Sequence, residues 1–141
     1  MQILQGHRTR PLFPNTERDW PLEARAATFV LEAAAGDAST LERRNIPRPP
    51  CRIEATLSPA DDPAALGEVL IYTRDIDRGH LGFICHRELP QGYRVDLHLT
   101  IEHAGPLHIS ATIIRCRQFM EGWYEGVLRF DEPRADLGEA A

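Results

Sequence analysis

From residue 51 onward, apolar and polar side chains alternate with a period of two, and this pattern restricts the fold more than any other feature of the chain. The clearest case is YRVDLHLTI at 93–101, where an apolar residue fills every second position. Side chains of a β-strand point alternately to its two faces, so each such segment buries one face and hydrates the other. The same argument predicts a buried face in 51–58, formed by Cys51, Ile53, Ala55 and Leu57.

Repeated alternation, interrupted by turn-forming residues, predicts a mainly β fold. Connections of hairpin length, with no helix between them, favour six antiparallel strands. Closing the strands into a barrel would remove exposed edges, so we expect a six-stranded antiparallel barrel, with a two-sheet sandwich as the alternative. The predicted strands are 51–58, 67–76, 80–87, 93–101, 107–119 and 123–130, the last opened by Gly122.

One helix is predicted ahead of the strands, at 19–36. Asp19 is expected to cap its start, Pro21 fits its first turn, and Gly36 is a typical C-terminal stop. One apolar face should pack on the domain or on a partner. That predicted face comprises Leu22, Ala26, Phe29, Val30 and Ala33.

The length of 141 residues suits one domain with flanking segments. We assign 1–40 to an N-terminal arm and helix, 41–131 to the barrel, and 132–141 to a flexible C-terminal tail.

No apolar run reaches the roughly 18–20 residues of a membrane helix, and the N-terminus lacks the pattern of a secretory signal. We therefore expect a cytoplasmic protein without membrane contact. The cysteine content agrees with a cytoplasmic location, because the number of cysteines is odd and no two have a metal-binding spacing. Each lies in an apolar strand segment and is expected to be a small buried residue. They are Cys51, Cys85 and Cys116.

The charge balance and the motifs exclude several functions. A net charge of -5 argues against general nucleic-acid binding, which needs a basic face. His98 and His108 should face each other across a hairpin with His103 in its turn, but no compact metal-binding spacing occurs, so no metal is expected. Ser58 and Ser110 lack a G-x-S-x-G setting, and we expect no enzyme activity.

Two polar stretches stand out against this background. ERRNIPRPPC carries three arginines, Arg43, Arg44 and Arg48, on a proline-rich link just before the first strand. TRDIDRGHLGF joins the second and third predicted strands and carries Asp75, Asp77, Arg78, Gly79 and His80. An arginine fork binds a phosphate or the O6/N7 edge of guanine through two hydrogen bonds, so the first stretch suits a small anionic ligand.

Together the two stretches resemble the PilZ domain. Arg44 and Arg48 match its RxxxR motif before the first barrel strand, and residues 75–80 are similar to its [D/N]xSxxG segment. The resemblance covers roughly 41–131 and implies a six-stranded barrel that binds cyclic di-GMP, a bacterial second messenger, and takes part in bacterial signalling. It implies that Arg44 and Arg48 hold the ligand with help from Arg43, and that Asp75 contacts a guanine.

The segment departs from the family pattern at two positions, where Asp77 replaces the serine and His80 replaces the glycine. These two positions, with Arg78 and Gly79, complete the predicted ligand-binding set. Weaker candidates are the strand arginines and whichever aromatic at the start of the last strand points outward, which could stack on a base. They are Arg115, Arg117, Arg129, Trp123 and Tyr124.

Three functions remain open from the sequence. The first is a cyclic di-GMP receptor that changes shape on binding and signals to a downstream protein partner. The second is a degenerate PilZ domain that binds no nucleotide and acts as an adaptor between proteins. The third is an unrelated small barrel for single-stranded nucleic acid, which the acidic charge and the aromatic content of 7% disfavour. A homodimer formed through the helix is also left open.

Overall fold

The computed structural model describes residues 15–37, 50–60, 67–101 and 105–134. A 3₁₀ turn, Glu17–Asp19, leads into helix α1, Leu22–Asp37. The six strands are β1 Glu54–Pro59, β2 Val69–Ile76, β3 His80–Cys85, β4 Arg94–Ile101, β5 Gly105–Met120 and β6 Trp123–Phe130.

The strands close into a barrel in the order β1-β2-β3-β6-β5-β4, and all neighbouring pairs are antiparallel. The predicted barrel is confirmed and the sandwich alternative is wrong. Strand β1 begins at Glu54 rather than at Cys51, because Pro50 and Arg52 form only isolated bridges to Asp75 and Asn15. The glycine at the β5–β6 turn, Gly122, has φ of 81°, a conformation that favours glycine.

The barrel interior follows the predicted alternation. Cys51, Ile53, Ala55 and Leu57 are all buried, and the inward residues of β4 are buried in the same way. Tyr124 packs against this interior from β6. Filling a small barrel with side chains leaves a packed core rather than a pore. The predicted ligand-binding residues that the structure describes therefore have to lie outside this packed interior.

A second core lies between α1 and the outer face of the barrel. Trp20, Ala24 and Ala27 cover Tyr72, Ile84 and Trp123, all buried. The Trp20 and Tyr72 rings lie 4.9 Å apart, and His86 lies 3.7 Å from the Trp123 ring. Trp123 is the outward aromatic of the β6 start, but it is 5% exposed beneath these groups, so the prediction that it could stack on a base is wrong.

The face of α1 that contacts the barrel is not the predicted one. Small residues line the buried face, namely Ala24, Ala27 and Thr28, while Leu22 and Phe29 are 71% and 73% exposed. Small side chains let the helix axis approach the rings of Tyr72 and Trp123, which themselves supply the bulk of the contact. The periodicity of the large apolar residues therefore marks the side of α1 that points away from the barrel.

The ends of α1 differ slightly from the prediction. The helix begins at Leu22, so Asp19 lies in the preceding 3₁₀ turn and does not cap it. The Pro21 carbonyl accepts from the N–H groups of Ala24 and Arg25, at 3.0 and 3.1 Å. The helix ends at Asp37, one residue after the predicted stop at Gly36. No described helix is long and apolar enough to cross a membrane.

The three cysteines carry free thiols in two environments. Cys51 and Cys85 are buried as predicted, whereas Cys116 is only half-buried. Burial raises the pKa of the Cys51 thiol to about 11. A hydrogen bond between the Cys85 and Cys116 side chains raises the pKa of Cys85 and lowers the pKa of Cys116 to about 7.

Candidate ligand-binding site

The β2–β3 turn is built around the carboxylate of Asp77. Asp77 Oδ1 accepts from the N–H groups of Gly79 and His80, at 2.8 and 2.7 Å. The Asp77 N–H donates to the His80 carbonyl at 2.9 Å and closes the hairpin. Side chains that accept from backbone two or three residues on are typical turn formers, and serine does the same more weakly. The aspartate at the serine position of the motif therefore stabilises the turn.

His80 occupies the glycine position of the motif without backbone strain. None of the described non-glycine residues has a positive φ, so this position does not require glycine for its backbone conformation. The imidazole is 40% exposed, with Nδ1 3.5 Å from Asp77 Oδ1. His80 pairs with Arg129 of β6, which places both residues at one edge of the outer surface.

The end of β6 and the segment after it form hydrogen bonds with the same turn. The Gly79 carbonyl accepts from the Phe130 N–H at 2.8 Å, and the Arg78 carbonyl accepts from the Arg134 N–H at 2.7 Å. Arg134 belongs to the predicted C-terminal tail, of which residues 135–141 lie outside the described ranges. The Arg78 side chain is exposed. The turn is therefore fixed from two sides, while its cation is accessible to a ligand.

A row of four residues crosses the outer face beside this turn, one on each of β2, β3, β6 and β5. Asp75 pairs with Gly82, Gly82 with Val127, and Val127 with Arg115. A Cβ on Gly82 would lie 2.7 Å from Asp75 Oδ1, so the missing side chain leaves room for that carboxylate. We call these four residues the platform row.

The chain before β1 joins the end of this row. Pro50 forms a bridge to Asp75, and the Cys51 N–H donates to the Arg74 carbonyl at 3.0 Å. The structure thus places the end of the proline-rich link beside the predicted guanine contact. The predicted arginines Arg43, Arg44 and Arg48 lie outside the described residues.

An arginine cluster next to the platform row combines two of the weaker candidates, Arg115 and Arg117, with Arg74, which was missed at the sequence level. Glu125 is 5% exposed and lies 3.7 Å from Arg74 Nη1. Arg115 Nη2 donates to Glu125 Oε2 at 3.1 Å, and Arg117 Nε donates to Oε1 at 3.2 Å. Three guanidinium groups therefore surround one carboxylate, which leaves this part of an acidic protein locally positive.

Arg74 owes its position to a break in strand register. The β2–β3 pairing shifts between Thr73 and Asp75, so Arg74 is the extra residue of a bulge. Its guanidinium reaches Glu125 on β6, and β3 lies between β2 and β6. The side chain therefore crosses β3 to reach it. Sequence patterns do not reveal such a bulge, although the glycine opposite Asp75 is a partial signal.

Arg52 links the end of the proline-rich link to the helix. Its Nε donates to the Arg74 carbonyl at 3.1 Å, and its Nη1 donates to Glu17 at 3.1 Å. Its Nη2 pairs with Glu32 of α1. One side chain thus contacts β2, the 3₁₀ turn and the helix. At the sequence level Arg52 was only a polar strand residue.

The predicted histidine pair is on the other side of the barrel. His98 Nδ1 lies 3.2 Å from His108 Nε2, as their predicted cross-strand position requires. Ser58 Oγ lies 3.0 Å from His98 Nε2, a contact made by the closing pair β1–β4. Among the described residues, no group of three or more His, Cys, Asp or Glu side chains is arranged to hold a metal.

The closed six-stranded antiparallel barrel defines the class of protein, and comparison with known families agrees. Residues 42–140 match the model of the PilZ domain. The chain belongs to the PilZ domain family. No curated protein sequence matches it significantly.

Three solved structures are similar to this chain at low sequence identity. The PilZ domain of YcgR from Escherichia coli, solved with c-di-GMP, is 17% identical and has a TM-score of 0.50, over 67% of this chain and 84% of that one. The PilZ domain of CeSA from a cellulose-synthesizing bacterium is 19% identical with a TM-score of 0.47, over 64% and 88%. The Bacillus subtilis inhibitor of motility MotI/DgrA is 16% identical with a TM-score of 0.47, over 67% and 45%.

Proposed function

We propose that this protein is a cytoplasmic receptor for cyclic di-GMP, which binds between the proline-rich link and the platform row. The observation that carries the proposal is the bridge between Pro50 and Asp75. It joins the chain that leads from the RxxxR motif to the strand that bears the second motif. Both motifs can then act on one ligand.

Chain connectivity supports this arrangement. Arg48 precedes Pro50 by two residues, and two residues span at most about 7 Å. Arg44 and Arg43 are six and seven residues away, a reach of up to about 20–25 Å. Because Pro50 pairs with Asp75, all three guanidinium groups can reach the platform row without a change in the barrel.

The chemistry of cyclic di-GMP matches the groups present. Its two phosphates and the O6/N7 edges of its guanines are targets for the forks of Arg44 and Arg48. Asp75 accepts from guanine N1–H and N2–H in this proposal. All 16 basic residues other than histidine are arginine, the side chain best suited to paired hydrogen bonds with planar anions and guanine.

The surface beside Asp75 can also stack a purine. Arg74 extends across β3 to Glu125, and its side chain is 18% exposed. A guanidinium plane stacks favourably on an aromatic base. Arg115 and Arg117 add positive charge beside it, and their side chains are 43% and 68% exposed.

The β2–β3 turn forms the other margin of the proposed site. Asp77 is engaged by the turn N–H groups, so it shapes the site rather than donating to the ligand. Arg78 supplies an exposed cation, and Gly79 leaves space next to it. The half-exposed ring of His80 offers a flat surface to a base.

We propose that ligand binding is transmitted to a downstream protein partner through Arg52. If the ligand repositions the link, Arg52 is the side chain that carries the change to Glu17 and Glu32. The partner then senses the position of α1 or of the link. No catalytic step and no cofactor belong to this function, and neither a nucleic acid nor a membrane is among the proposed partners.

The adaptor function has one specific observation in its favour. His80 places a ring on the surface where the family motif has glycine. If that ring excludes the ligand, the same surface serves a protein partner alone.

Isothermal titration calorimetry with cyclic di-GMP, and with GTP as the control, separates the two functions. The receptor predicts a saturable signal for cyclic di-GMP alone, with Kd in the micromolar range, equivalent to about 8 kcal/mol. A flat trace from folded protein would exclude the receptor and favour the adaptor. Circular dichroism of the same sample verifies folding.

A further inference from the structure

Helix α1 has two opposed apolar faces, and among the described residues only one of them is buried against the barrel. Ala24, Ala27 and Thr28 are buried against the barrel. At 100° per residue, the opposite side of the helix carries an exposed stripe. This outer stripe consists of Leu22, Ala26, Phe29 and Ala33.

The exposure of the outer stripe is unusual within the described chain. Four large apolar residues of the described ranges are exposed, and three of them are on α1. They are Leu22, Phe29 and Val30, and the fourth, Leu70, lies on β2. Apolar surface concentrated on one element indicates an interaction site rather than scattered exposure.

The spacing and sizes in the outer stripe indicate what covers it. The residues are spaced by four, three and four positions, which is the spacing of the apolar seam of a two-stranded coiled coil. Large and small residues alternate along the seam. In an antiparallel pair of identical helices, Leu22 of one copy faces Ala33 of the other, and Ala26 faces Phe29. A parallel pair would instead place Phe29 against Phe29 and leave voids between alanines.

Charge favours the same arrangement. Arg25 and Glu32 are both exposed and flank the seam on one side, two helical turns apart. Antiparallel pairing brings Arg25 of each copy beside Glu32 of the other, so two opposite-charge pairs form. Glu32 already pairs with Arg52, yet its side chain is 44% exposed and a carboxylate accepts several donors.

We propose that α1 of this protein pairs antiparallel with α1 of a second copy, through the outer stripe. The barrel-facing side of each helix remains on its own barrel, so dimerisation through the outer stripe does not cover the platform row. A single helix pair buries little surface, and the dimer should be weak, with Kd on the order of 100 µM. The dimer depends on neither nucleotide binding nor the adaptor function.

Sedimentation equilibrium over a concentration series tests the dimer. The wild type should shift from monomer to dimer as concentration rises, and Phe29→Glu should weaken association at least about tenfold, because it buries an unpaired charge. Ala34→Glu adds the same charge at an exposed alanine of the helix outside the outer stripe and should associate as the wild type does. A wild type that stays monomeric at millimolar concentration would overturn the proposal.

Cross-linking tests the orientation. Leu22→Cys and Ala33→Cys proteins, both with Cys116→Ser to remove the half-buried native thiol, are mixed and treated with a short bismaleimide. The antiparallel arrangement predicts 22-to-33 products in the mixture and little product from either protein alone. Efficient 22-to-22 product would refute it.

Discussion

Pro50 pairs with Asp75, and this single bridge connects the two parts of the chain that carry the PilZ motifs. The bridge is continued by the Cys51 N–H, which donates to the Arg74 carbonyl at 3.0 Å. The link that carries the motif arginines is therefore anchored where the proposed ligand surface begins.

Replacing Asp75 by alanine tests the proposed guanine contact. The change removes an acceptor for guanine N1–H and N2–H, and loss of a charged hydrogen-bond partner costs about 1.5–3 kcal/mol, or roughly 10- to 150-fold in Kd. Calorimetry with cyclic di-GMP measures the loss. Asp96→Ala on β4 is the matched control, and equal Kd values for the two variants would contradict the assignment.

Gly82→Ala should lower affinity while leaving the fold stable. A Cβ there would lie 2.7 Å from Asp75 Oδ1, so the carboxylate must move, which a flexible side chain does at small cost. We expect unfolding free energy to change by less than about 1 kcal/mol and Kd to rise several-fold. Asp96→Ala on β4, outside the proposed site, serves again as the control for affinity. Unchanged affinity in Gly82→Ala would show that the position of Asp75 is unimportant.

Asp77→Ala should destabilise the domain, because two turn N–H groups lose their acceptor. By analogy with lost side-chain caps, the expected cost is about 1–2 kcal/mol in denaturant unfolding. Asp77→Ser should recover part of this stability and should bind cyclic di-GMP at least as tightly as the wild type, since it removes a negative charge near an anionic ligand. Full stability of Asp77→Ala would disprove the structural role of this carboxylate.

Stability should fall at alkaline pH through Cys51. Burial raises the pKa of this thiol from 9.0 to about 11, so the folded protein keeps a proton that the unfolded chain loses over this window. The contribution of the protonated Cys51 thiol to the free energy of unfolding is complete below pH 9 and is lost as pH rises to about 11. Its total is about 2–3 kcal/mol. Cys51→Ala should give a flatter profile of unfolding free energy from pH 8.5 to about 11. Parallel profiles for the two proteins would contradict the buried, protonated thiol.

Strand alternation was sufficient to predict the barrel. Every residue predicted inward in 51–58 is buried, because a period of two is imposed by strand geometry and is independent of long-range contacts. The same independence explains why periodicity did not identify the face of α1 that contacts the barrel. Its contact surface depends on the aromatic residues Tyr72 and Trp123 opposite it, which local periodicity does not include.

Residues of the candidate ligand-binding site could be predicted from the sequence only where they belong to a local motif. Residues 75–80 were found from their resemblance to a known segment, and the structure shows how Asp77 holds them together. Arg74, which reaches Glu125, is the extra residue of a bulge in the β2–β3 pairing. Arg52 and Glu32 are brought together by the docking of the helix. Such contacts depend on register and packing, which the order of residues alone does not show.

The central claim is that the arginine-bearing link and the platform row form one cyclic di-GMP site. The most direct test is calorimetry of the Arg44→Ala/Arg48→Ala double variant beside Arg94→Ala, an arginine on β4 whose side chain pairs with Asp131. We predict that the double variant remains folded and gives no binding signal, while Arg94→Ala binds as the wild type does. Wild-type affinity in the folded double variant would contradict the claim.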